Sequence, residues 1–83
     1  MRELDLYTDL CRIERDKAKV LTSTAELFEL LADNDQEMTR TAGKIGTLIA
    51  DILTLGSGLG LGYDIMYAKI NEELKIRVGQ PDQ

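Results

Sequence analysis

The stretch Met38 to Leu55, MTRTAGKIGTLIADILTL, constrains this chain most. Its apolar residues fall at Met38, Ala42, Ile45, Leu48, Ile49, Ile52 and Leu55, steps of three and four that place them on one side of a helix. Arg40, Lys44, Thr47, Asp51 and Thr54 form a polar stripe on the opposite side. A helix of this kind must cover its apolar face, and covering it fully takes at least two others. The chain offers about three helices in 83 residues, a size at which a core built by one chain is marginal. The expected fold is therefore all-α, an antiparallel helical hairpin plus a third helix. It forms a single domain over 1–83, completed as a helical bundle by homo-oligomerisation into a dimer or larger.

The flanking segments fit that plan. Residues 3–21 carry Leu6, Leu10, Ile13, Val20 and Leu21 at helical spacing, with Tyr7 and Cys11 beside them and the charged run IERDKAK between. Glu14 or Asp16 is placed to pair weakly with Lys17 or Lys19 at the surface. Ser23 and Glu26 have capping-box spacing, but one long helix with a kink near residue 22 is the favoured reading. From there Leu21, Thr24, Leu27, Phe28 and Leu31 are expected on the buried side, opposite the acidic row Glu26, Glu29 and Asp33. Asn34 or Asp35 is the expected N-cap of the next helix, with Glu37 in its first turn and the helix spanning about 36–55. The short connection makes its two helices antiparallel neighbours.

Gly56, Gly58, Gly60 and Gly62 would cost roughly 3 to 4 kcal/mol if all were helical, so Gly56 to Gly62 is expected to be a turn or a frayed end. It is not a phosphate loop, because Tyr63 and Asp64 follow where lysine and serine or threonine belong, and its every-second-residue spacing is not GxGxxG. The last helix is expected over about 64–78, with Met66, Ile70 and Leu74 inward. Gly79 then acts as a cap, and 79–83 is a loose tail containing Pro81.

Composition excludes several functions. Fifteen acidic against ten basic residues, with the basic ones scattered, leave no stripe for nucleic-acid binding. The absence of histidine removes imidazole from catalysis and metal binding. Cys11 stands alone and reads as a small half-buried residue, neither nucleophile nor ligand. The N-terminus has acids where a signal peptide needs bases and an apolar run, and the longest uncharged run, Ile52 to Tyr63, is too short to span a bilayer. Together these predict a cytoplasmic protein without membrane contact.

The remaining route to chemistry is through carboxylates. Glu26 and Glu29 stand one turn apart on one helix and Asp51 on its antiparallel neighbour. Three carboxylates converging from two helices would offer magnesium an oxygen-rich site, and a metal so held polarises a phosphoryl group without histidine. The competing reading is that an acidic row is a solvated face.

Glu26-Leu27-Phe28-Glu29, Ile49-Ala50-Asp51-Ile52-Leu53 and Gly62-Tyr63-Asp64, before a last helix with Lys69, Asn71 and Arg77, resemble a reduced version of the MazG-like all-α nucleoside triphosphate pyrophosphohydrolases. The resemblance spans roughly residues 20–78. It implies magnesium-dependent hydrolysis of a nucleoside triphosphate to monophosphate and pyrophosphate by a dimer or tetramer. Glu26, Glu29 and Asp51 would be metal ligands, Glu29 the catalytic carboxylate, and Lys69 and Asn71 contacts to the nucleotide. The glutamate of the family's second motif falls at Leu48. The alternative is a non-enzymatic oligomeric interaction protein, such as a phage or mobile-element regulator or inhibitor, whose carboxylates are only surface. Tyr7, Tyr63 and Tyr67 read as packing residues before base-stacking ones.

Overall fold

The structure is a computed structural model and describes residues 3–33 and 37–79, with side chains from residue 8 onward. It is all-α, in the order α1 (Glu3–Ala32), α2 (Met38–Gly58) and α3 (Tyr63–Gly79). The expected N-caps Asn34 and Asp35, the side chains of Leu6 and Tyr7, and residues 80–83 of the expected tail lie outside the described residues, while Gly79, expected as the cap that opens that tail, is the last residue of α3. Glu37 is itself the extended N-cap residue of α2, not part of its first turn, and its side chain makes no capping hydrogen bond.

Helix α1 runs through the Thr22-Ser23-Thr24 cluster as one helix of 30 residues. Thr24 Oγ1 donates to the Val20 carbonyl one turn back, 2.8 Å away, so that hydroxyl is satisfied without breaking the helix. Ser23 does not cap a second helix with Glu26; its hydroxyl turns to α2 instead.

Helices α1 and α2 form an antiparallel hairpin. Along α1 the less exposed residues are Asp9, Ile13, Asp16, Val20, Ser23, Leu27 and Leu30, in alternating steps of four and three. Along α2 they are Thr41, Lys44, Leu48, Asp51, Leu55 and Gly58, in steps of three and four. Off these lines only Thr24, Leu53 and Gly56 of the hairpin's described residues are half-buried or buried. Two such lines facing each other are the seam of an antiparallel helical pair. Its apolar centre is small: among the described residues, Leu27 and Leu30 are the buried hydrophobic ones.

This seam corrects the expected core. Leu21 and Phe28 are not on the buried side of α1, with 72% and 62% of their surface exposed. On α2, Leu48 and Leu55 turn toward α1, whereas Met38, Ile45, Ile49 and Ile52 remain exposed. The apolar stripe is wider than one neighbour covers, and α1 meets its edge, where it borders Lys44 and Asp51. Cys11 is exposed, not half-buried, because it lies off the α1 line. Asp16 is buried in the seam and leaves Lys17 to pair with Glu14 at 2.9 Å.

The glycine run is more ordered than composition suggests. Helix α2 continues through Gly56 to Gly58 and ends at Leu59. Gly60 follows with φ 99°, its N–H bonds the Ser57 carbonyl at 3.0 Å, and Leu61 N–H bonds the Gly56 carbonyl at 3.0 Å. This is a Schellman motif, with glycine at the left-handed position. Gly56 lies within the helix, and a Cβ there would clash with Met66 Sδ, the contact that docks α3 on the end of α2. Among the described residues α3 packs on α2 and not on α1. Its Ile70 and Leu74, expected inward, are exposed.

The chain is consequently open. It exposes 6760 Å², against about 5,000 Å² for a compact monomer of its mass. Its radius of gyration is 16.3 Å, against about 12 Å for a compact chain of this length.

Candidate functional site

The predicted ligands occupy three different places. Asp51 is half-buried in the seam, where its carboxylate accepts a hydrogen bond from Ser23 Oγ across the helix pair. Glu26 and Glu29 are exposed on one flank of the hairpin, lining an open cleft of about 330 Å³ with Leu30, Asp33, Arg40 and Lys44. Lys69 and Asn71 lie on the exposed surface of α3, in a separate groove with Ile65, Ala68, Glu72 and Lys75.

The sequence spacing put Asp51 on the helix next to Glu26, and the structure agrees; the rotation of α2 decides the rest. Lys44, one turn and three residues before Asp51, meets Glu26 with Nζ 3.4 Å from Oε1. The cleft beside Glu26 and Glu29 is thus supplied with cations from α2, Lys44 and Arg40. Among the described residues no group of three or more histidine, cysteine, aspartate or glutamate side chains is gathered as a metal ion requires. Within one chain these carboxylates have a lysine beside them on one side and a serine hydroxyl on the other. Lys69 pairs with Glu72 at 3.2 Å along its own helix.

Two polar layers in the seam were not anticipated. One is Ser23 with Asp51, a hydrogen bond to a charged acceptor of the kind worth about 1.5–3 kcal/mol. The other is Asp16, 6% exposed, beside Gly58, where a Cβ would stand 3.5 Å from its Oδ2. No hydrogen bond or ion pair joins Asp16 to another of the described residues. It borders a small cleft with Arg12, Thr54, Ser57 and Gly58, while Arg12 is engaged by Asp9 at 2.6 Å. The Thr41 hydroxyl, near the other end of the seam, is likewise buried without a partner among the described residues. The signal for these layers is present in the sequence as the four-three spacing of 9, 13, 16, 20, 23, 27 and 30, which an apolar count overlooks because two of its members are aspartate and one is serine.

The most extensive feature is apolar. Leu21, Phe28 and Leu31 of α1 and Met38, Ile45, Ile49 and Ile52 of α2 are all exposed. On α3 Ile65, Tyr67, Ile70, Leu74, Ile76 and Val78 are exposed as well, and Tyr67 stacks on Tyr63 with ring centroids 6.2 Å apart. No helix among the described residues is long and apolar enough to cross a membrane. Comparison with protein-family models, curated proteins and solved structures finds no match to this chain.

Proposed function

We propose that the chain is a non-enzymatic helical interaction protein that works as a homo-oligomer. The observation that carries this reading is the surface excess. The chain exposes 6760 Å², about 1,800 Å² more than a compact monomer of its mass would. Obligate homodimers bury on the order of 1,000–2,500 Å² per subunit. Exposed apolar patches beyond a few hundred Å² mark interaction surfaces, and the exposed leucines and isoleucines of the hairpin are more than scattered single residues. The carboxylates then act as a solvated, partly ion-paired flank.

Sedimentation equilibrium tests the reading. A mass of two or more 9.3 kDa chains at micromolar concentration is expected, and a monomer throughout would overturn it. Pyrophosphate release from a panel of canonical and modified nucleoside triphosphates, with and without magnesium, tests the pyrophosphohydrolase alternative. No release is expected; magnesium-dependent release lost in Glu29→Gln and Asp51→Asn would establish the enzyme instead.

A further inference from the structure

We infer that a second copy of this chain docks on one face of the α1–α2 hairpin, the face formed by Leu21, Phe28 and Leu31 of α1 with Ile45, Ile49 and Ile52 of α2. The product is a four-helix bundle. This rests on the reading of the chain as self-associating and names the surface.

Both helices carry a second line of residues one position beyond the seam. On α2 it is Met38, Ala42, Ile45, Ile49, Ile52, Gly56 and Leu59, in steps of four and three, with no charged residue. On α1 the line one beyond Val20, Ser23, Leu27 and Leu30 is Leu21, Thr24, Phe28 and Leu31. One residue is a turn of about 100° about the helix axis. Because the helices are antiparallel, a shift of one residue in the same sense on each carries both lines to the same side of the pair. The hairpin register, fixed by Ser23 with Asp51 and Asp16 with Gly58, then sets Leu21 level with Ile52, Thr24 with Ile49, Phe28 with Ile45 and Leu31 with Ala42. The result is a continuous two-helix apolar face four layers long. The opposite flank holds Glu26, Glu29, Asp33, Arg40 and Lys44.

The occupant is a second hairpin because the dimensions match. A flat face two helices wide and four layers long is covered by another of the same kind, related by a twofold axis. The surface excess of the whole chain, to which α3 also contributes, is of the order that one subunit of an obligate dimer buries, and the hairpin face is the part of it that two helices share.

The full chain, with Phe28→Glu and Ile49→Glu made singly and together, is compared by sedimentation equilibrium, with circular dichroism to check helix content. The wild type is expected to be dimeric, and each variant to dissociate at least about 100-fold more readily, since the interface would bury an unpaired carboxylate. Thr22→Glu, on the other side of α1, should leave the dimer intact. A second measurement does not depend on the charged variants folding. In a Cys11→Ser background, Ile49→Cys should react with a maleimide at least about tenfold more slowly in the dimer than Cys11 does in the wild type, and regain reactivity on dilution. If the wild type associates but the glutamate variants do too, or Cys at 49 stays fully reactive, the face assignment is overturned while self-association stands. Dissociation by Ile70→Glu or Leu74→Glu alone would give the interface to α3 instead. A monomeric wild type would overturn both.

Discussion

The seam between α1 and α2 and the face one residue further round both helices repeat every three or four residues, yet their chemistry is opposite. The seam, closed within the chain, holds Asp16, Ser23 and Asp51 among its leucines. The outer face, left open, holds isoleucine, leucine and phenylalanine, with Thr24 and Ala42 as its least hydrophobic members. Apolar area stabilises in proportion to the water it excludes, so the outer face has more to gain from a partner than α1 gained from α2. Polar groups instead discriminate among arrangements. A Ser23–Asp51 pair is satisfied in one register only, and a slip by a turn would leave Asp51 facing Val20 or Leu27. The comparison teaches that the less apolar contact sets the hairpin's register, while the more apolar face is the one that would drive the proposed association.

That division of labour can be broken in order of effect. Truncating the seam at its apolar centre, Leu27→Ala, should cost about 2–5 kcal/mol in chemical denaturation, because Leu27 is one of two buried hydrophobic residues among those described. Its loss should be the same at every protein concentration where the dimer is intact. On the outer face, Ile45→Ala and Ile52→Ala together should lower the melting temperature by an amount that grows on dilution, since they act on association; concentration-independent melting would remove the distinction between the two faces. Ser23→Ala leaves the Asp51 carboxylate without its donor and should destabilise by about 1–3 kcal/mol. Asp16→Leu, which puts an apolar side chain at a seam position only 6% exposed, should stabilise by about 1 kcal/mol, measured as a rise in denaturation midpoint. The smallest effects belong to the charged flank. Lys44→Ala breaks a partly exposed pair to Glu26 and should change stability by less than about 0.5 kcal/mol. Magnesium should leave the melting temperature of the wild type unmoved. A rise with magnesium that is lost in Asp51→Asn would mean that the carboxylates come together in the assembly.

The difference between hairpin and α3 follows the same physics. Helix α3 is held by Met66 and Leu61 over Gly56 and by little else. A lone helix of 17 residues is marginal in water, so its order depends on that contact. Gly60 fixes its departure angle, since φ 99° at that position is costly for any residue with a Cβ.

The sequence by itself determined that the chain is all-α, where its helices fall to within a few residues, and that α2 carries a broad apolar stripe beside a polar one. These follow from local spacing, which is a property of neighbours along the chain. The continuation of α2 through Gly56 and Gly58 was not legible, because the contact that suits glycine at position 56 comes from Met66, a side chain of another helix. Nor was the place of the candidate site. Spacing put Glu26, Glu29 and Asp51 on adjacent helices, but a rotation of about 100° decides whether Asp51 joins two glutamates or one serine. Only the tertiary structure settled that rotation. It turned the edge of the apolar stripe toward α1, drew Asp16, Ser23 and Asp51 into the seam, and left Ile45, Ile49 and Ile52 open. Amphipathic patterning specifies that a face must be buried and says nothing of whether a helix of the same chain or of another copy buries it.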